Sequence, residues 1–188
     1  MNVAELAPGL WRWTALHPDW KPGDDWAQEV GCVYYEAAAA TVLIDPLVPP
    51  ERDRFFEALD RDVERRGSPV TILLTVTWHE RSAAELTERY GAIEETPAGV
   101  EPFAVPEVDE TLWWLPEHGA LVAGDVLLGA EDGVQVCPDS WLDGRSSHAS
   151  IRGALAPLLE LPLERILVSH GEPVLAGGRA ALEQALSA

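Results

Sequence analysis

Four short apolar runs in this chain each stop at polar side chains, and that pattern limits the folds open to it. Ala40 to Ile44 ends at Asp45-Pro46, and Val70 to Thr75 leads into a segment carrying His79, Glu80 and Arg81. Ala120 to Ala123 runs into Gly124-Asp125, and Arg165 to Val168 stops at Ser169-His170-Gly171. Such runs, rich in β-branched and aliphatic residues, read as buried strands. A strand end is a rigid mount for a carboxylate or an imidazole, so the pattern points to a site built from strand termini.

Helices fill the intervals. After Pro49-Pro50 the segment 51–67 places Phe55, Phe56, Leu59 and Val63 on one helical face and ends at Gly67. A second helix is expected from Ala83 to Tyr90, a third from Ile151 to Leu159 and a last from Gly178 to Leu186. Leu10 to Thr14, Gly31 to Tyr35 and Thr111 to Leu115 add strands, the last pairing with Ala120 to Ala123 through a turn at Glu117, His118 and Gly119. Residues 92–106 carry weak patterning, and 130–149 read as a polar loop. No internal repeat or linker interrupts the chain, so 1–188 is expected to form a single domain.

At 188 residues with net charge -19, the chain can bury its own core and repels phosphate backbones, which argues against a nucleic-acid partner. No apolar run approaches the ~18 residues of a membrane span, and no signal-peptide pattern opens the sequence, so the expected compartment is the cytoplasm. Cys32 and Cys137 make no disulfide framework and are expected as reduced core thiols. Lys21 is the sole lysine, a bias attributed here to genome composition.

The stretches LIDP around Asp45, AGDVLLG around Asp125 and ILVSHGEPV around His170, in this order, resemble the metallo-β-lactamase superfamily across nearly the whole chain. The resemblance implies an α/β (α+β) fold, the αββα sandwich of the metallo-β-lactamase type. It also implies that Asp125 stands where a metal-bridging Asp would be and His170 where a metal-ligating His would be. In that family most remaining zinc ligands come from an H-x-H-x-D-H motif after the strand that is VTILLT here. Aligned on Thr75, this chain has Val76, Trp78, Glu80 and Arg81 at those four places, and no histidine lies between residues 92 and 115. Valine and tryptophan offer no lone pair to zinc, and Arg81 carries a permanent positive charge.

The candidate site residues are therefore Glu80, Asp125 and His170, with Trp78, His79, Arg81 and Asp45 as pocket residues. No cofactor is expected; zinc held by Glu80, Asp125 and His170 is the alternative. Arg81 is expected to take the place of the lost cation by bridging Glu80 and Asp125, against an ordinary solvated charge. Asp125 and His170 have structural readings as turn-capping groups. His79, one place out of register, is expected at the surface, and Trp78 could fill space vacated by a metal. His148 follows Ser146-Ser147, whose side chains are expected to cap a helix start. Trp20, Trp26 and Trp141 could line an apolar pocket, although ordinary packing accounts for them equally.

Three functional readings follow. The first is a metal-free, catalytically silent relative that binds a small molecule. The second is a hydrolase of ester, thioester or lactam bonds with a reduced mononuclear site. The third is an interaction or homo-oligomerisation module using the tryptophan-bearing loops.

Overall fold

The computed structural model describes residues 2–142, 144 and 146–188. Positions 143 and 145, inside the stretch read as a loop, lie outside the described residues. The chain divides into two compact units, the first reaching to Val100 and the second beginning at Glu101.

The first unit is a five-stranded sheet with two helices. Its strands are β1 (Asn2–Ala7), β2 (Leu10–Leu16), β3 (Glu29–Glu36), β4 (Thr41–Ile44) and β5 (Val70–Leu73), in that spatial order. The first four pair antiparallel, while β4 and β5 run parallel, with Thr41 opposite Val70 and Ile44 opposite Leu73. A parallel pair needs a crossover, and helix α1 (Arg52–Arg66) provides it. Phe55 and Leu59 of α1 are buried with Trp13, Cys32, Tyr34, Leu43 and Ile72 in one apolar cluster. Helix α2 (Ala83–Tyr90) adds Leu86 to that cluster. The two helices are also joined through charge, by Arg52 with Glu85 and Arg89 with Asp60.

The second unit has a four-stranded sheet ordered β11, β8, β7, β6: β6 (Glu101–Val105), β7 (Glu110–Leu115), β8 (Ala120–Ala123) and β11 (Arg165–Val168). The β8 and β11 pair is parallel and the others antiparallel. Between β8 and β11 come a hairpin of β9 (Leu127–Ala130) and β10 (Gly133–Val136) and helix α3 (His148–Leu155). Helix α4 (Gly178–Ser187) ends the chain, and its Leu182 and Ala185 are buried with Ile151, Leu155 and Ile166.

Strands β2, β3, β4, β7, β8 and β11, helices α1, α2 and α4, and the turn at His118 lie where the sequence places them. Ser147 caps α3 as expected, accepting the Ser150 N–H at 3.2 Å. Four readings need correction. The weakly patterned 92–106 contains β6, an outer strand in which only Phe103 and Val105 turn toward the core, an alternation too short to stand out in the sequence. The supposed loop 130–149 contains β10, a short strand with one buried side chain, Val134. Strand β1, unmarked by apolar runs, forms on the sheet edge beside β2. Helix α3 starts earlier than expected and gives way to a 3-10 turn at Ala156–Glu160, where Pro157 lacks the N–H that an α-helix would need.

Leu43 is fully buried on β4, between Tyr34 of β3 and Ile72 of β5. Leu43→Ala should lower unfolding free energy by about 2–5 kcal/mol in a denaturant titration, because the cavity collapses only in part.

Candidate functional site

In the first unit the chemistry centres on Asp45, which is 2% exposed and sits just past β4 in the left-handed region, φ 48°. Its Oδ1 accepts the Thr75 N–H at 2.8 Å, and its Oδ2 accepts the Thr75 hydroxyl at 2.6 Å. The same Oδ2 lies 3.0 Å from Nδ1 of His79. A carboxylate accepts, so Nδ1 carries the proton of this bond. His79 therefore differs from its expected surface position: it is 5% exposed and oriented by a buried acid.

The 3-10 turn Thr77–Glu80 explains the change of register. Strand pairing stops at Leu73, and the turn replaces strand alternation over these residues, so their facing cannot be extrapolated from β5. Val76 and His79 are buried, while Trp78 is 57% exposed, so Trp78 does not fill an interior space. Glu80 is exposed as well. Ser82 fastens the end of the turn, its N–H donating to the Pro46 carbonyl and its hydroxyl accepting the Val48 N–H.

Within the first unit Arg81 binds main-chain carbonyls. Nη1 donates to the Asp45 carbonyl at 2.9 Å and to the Gly31 carbonyl at 3.2 Å, with Cys32 Sγ at 3.9 Å. Arg81 has φ 41°, the second non-glycine residue of this neighbourhood at positive φ. Such conformations cost on the order of 1–3 kcal/mol each and persist only where surrounding bonds hold them. Burial pushes the Cys32 thiol up to about 11, so it is protonated and unreactive despite the Arg81 charge beside it.

Trp78, Glu80 and Arg81 line a cavity of about 590 Å³ in this unit, together with Asp19, Leu47 and Pro50. Trp20 and Trp26 are in the loop before β3, where Trp20 Nε1 donates to the Trp26 carbonyl and the Trp26 ring meets His17 edge-on.

In the second unit, Asp125 and His170 come together after β8 and β11, strands that pair directly, so both termini open at one end of the sheet. His170 Nε2 lies 3.3 Å from Asp125 Oδ1, and the Trp141 ring stands edge-on to the imidazole at 5.6 Å between centroids. The 124–126 turn is held by a residue the sequence did not single out. Glu110 Oε1 accepts the Gly124 N–H at 2.8 Å, and Oε2 accepts those of Asp125 at 3.0 Å and Val126 at 2.8 Å. Burial and the Asp125 charge push the Glu110 acid up to about 8, against the opposite pull of the three N–H bonds. Glu110 was legible only as an acid at the head of an apolar strand.

The segment carrying His170 is fixed by a close backbone crossing. The Gly129 N–H donates to the His170 carbonyl at 2.8 Å, and a Cβ on Gly129 would stand 2.3 Å from the Glu172 carbonyl oxygen. Gly171, with φ 87°, would meet Gly129 oxygen at 2.8 Å, so both positions exclude any larger residue.

The sequence resemblance implies a zinc centre, and the donors present match only part of one. At the places of H-x-H-x-D-H, Val76 and Trp78 offer nothing to a metal, and Arg81 brings a fixed cation anchored on carbonyls. These residues do not fit a dinuclear centre. Asp125 and His170 do fit one edge of a mononuclear site, since two atoms about 2.0–2.2 Å from one ion at a tetrahedral angle stand about 3.3–3.6 Å apart.

Asp45→Asn should cost about 2–4 kcal/mol of stability, because an amide cannot accept from Thr75 and His79 as a carboxylate does. Nitrogen NMR should find His79 protonated at Nδ1 in the parent chain and lose that preference in the variant. For Glu110, a pKa raised on folding means its contribution to stability is greatest below about 4.5 and declines as pH climbs through about 8. Unfolding midpoints of the parent and Glu110→Gln chains, measured across that window, should show the parent losing ground with rising pH.

No family model matches the sequence, and no curated protein matches it. Solved structures do. A metallo-β-lactamase from Erythrobacter litoralis superposes with TM-score 0.63 at 15% identity, covering 98% of this chain and 90% of that one. One from Hirschia baltica gives TM-score 0.60 at 12% identity over 99% and 96%. One from Pontibacter korlensis gives 0.54 at 16% over 99% and 97%. The chain has the metallo-β-lactamase fold, of the mixed α/β class.

Proposed function

We propose that this chain uses a metallo-β-lactamase fold without a two-metal centre, as a catalytically silent protein that binds a small molecule. The observation that carries this reading is the turn after β5. Its four motif positions hold two side chains with no metal-binding atom, an exposed glutamate, and an arginine whose guanidinium is bound to the carbonyls of Gly31 and Asp45. Valine, tryptophan and arginine at motif positions bring no lone pair to a dication, and the arginine brings a permanent positive charge of its own.

The ligand would enter the cavity beside that turn. Its volume of about 590 Å³ suits a small organic molecule, for which pockets typically run from about 300 to 1,000 Å³. The lining combines the face of Trp78 and the apolar Leu47 and Pro50 with Glu80, Asp19 and Arg81. That mixture suits a molecule with a flat apolar part and both donor and acceptor groups. A cytoplasmic location belongs to the same proposal, supported by Cys32 and Cys137 as buried free thiols. No helix among the described residues is long and apolar enough to cross a membrane.

One observation favours a second reading, a hydrolase of ester, thioester or lactam bonds with a reduced site. The 3.3 Å separation of Asp125 and His170 is that of two ligands on one ion. Zinc held by these two would supply an activated water, and Glu110 would hold the Asp125 backbone in place through its three N–H bonds.

Elemental analysis decides between the two. Protein purified without chelator, then incubated with zinc and desalted, should carry well under one equivalent of metal. A stoichiometric ion lost in Asp125→Ala or His170→Ala would reject the metal-free reading in favour of the hydrolase. Arg81→Ala should separately lower stability by about 1–3 kcal/mol in chemical denaturation, since the carbonyls it serves lose their donor.

A further inference from the structure

A second cavity in the first unit is independent of the turn and of every residue discussed as a metal or cavity ligand above. It is a slot of about 270 Å³ between α1 and the neighbouring sheet face, walled by Trp11, Trp13, Tyr34 and Phe55. The strand register puts these side chains in line. Trp11 stands opposite Tyr34 of β3, Trp13 opposite Val3 of β1, and residues two apart on β2 share a face. Val3, at the rim, is 47% exposed although it is an apolar residue on a strand. Trp13, Tyr34 and Phe55 are themselves buried, so the slot is a narrow cleft into the apolar cluster whose accessible mouth is formed by Val3 and Trp11.

The rim charge says what the ligand would be. Arg54 and Arg61 both line the slot, seven residues apart on α1 and therefore on nearly the same side of the helix. Among the described residues neither forms a salt bridge within contact distance, although the Arg54 charge acts on the exposed Glu51 carboxylate, in a chain whose net charge is -19. Elsewhere on these two helices, Arg52, Arg65 and Arg89 are each matched with an acid. The one acid of the slot, Asp62, lies beside Tyr34 and is already matched by Arg65 at 3.5 Å, so it would repel a second negative group at that end.

We propose that the slot binds a small hydrophobic monocarboxylate, its apolar body against the tryptophan and phenylalanine rings and its carboxylate held by the Arg54 and Arg61 guanidinium groups. An acyl chain of moderate length matches the volume, which lies just below the about 300 Å³ at which larger ligand pockets begin. Apolar contact would supply affinity, and forked guanidinium hydrogen bonds would select the anion.

The test is a titration of the full chain, below micellar concentrations, with decanoate, 1-decanol and decyltrimethylammonium, read by calorimetry and by tryptophan fluorescence. Decanoate should bind saturably at one equivalent and change the tryptophan emission. Decanol should bind at least about tenfold more weakly, and the cationic amphiphile should not saturate. Arg54→Gln with Arg61→Gln, both at exposed positions, should weaken decanoate at least about tenfold and leave decanol unchanged. Ala58→Trp, which fills the slot from the helix side, should abolish both, with circular dichroism melting confirming that each variant is folded.

Absence of saturable decanoate binding would overturn the proposal, as would equal affinity for all three amphiphiles. So would decanoate binding indifferent to the arginine pair, or a concentration-dependent dimer that covers the slot and excludes the probe. None of these outcomes bears on metal content, so this site and the reading of the turn fail or stand separately.

Discussion

The first unit depends on one buried carboxylate. Asp45 closes β4, and through its two oxygens it fixes the main chain of Thr75, the hydroxyl of Thr75 and the imidazole of His79. Its own carbonyl receives Arg81. A charge at 2% exposure is tolerable only when each oxygen is hydrogen-bonded, and here they share three donors. The positive-φ backbone at Asp45 and at Arg81 is held by the same bonds. Strand ends, turn and histidine orientation thus follow from a single acid.

The second unit repeats the device with other residues. Glu110 takes three consecutive N–H groups after β8 as Asp45 takes the N–H after β5, and in each case the acid fixes a neighbouring segment from within the fold. His170 is placed differently, by a backbone crossing that only Gly129 and Gly171 permit. Side chains set Asp125's turn, while the absence of side chains sets His170's.

Arginine has a structural use here beyond ion pairing. Arg66 donates to the carbonyls of Ala37 and Ala40, Arg81 to those of Gly31 and Asp45, and Arg165 to that of His118. Each closes a loop by satisfying main-chain acceptors that a sheet edge or turn leaves open. A guanidinium spreads several donors over a plane and can serve two such oxygens, which a lysine ammonium does with less fixed geometry. The near absence of lysine, read from composition as a genomic bias, accompanies a real structural role for its replacement.

What the sequence determined by itself was the inventory of elements and the mounts: apolar runs of the right length, Pro and Gly at helix ends, and Asp45, Asp125 and His170 at strand termini. These are local properties, set by side-chain alternation and backbone preference over a few residues. Poorly patterned strands such as β6 and β10 escaped, because their outward residues bear no apolar signature. Tertiary structure alone decided which way the Thr77–Glu80 turn faces, burying His79 and exposing Trp78 and Glu80. It also brought Glu110 to a turn fourteen to sixteen residues away. Those outcomes rest on hydrogen bonds between segments distant in the chain, whose geometry no local pattern encodes.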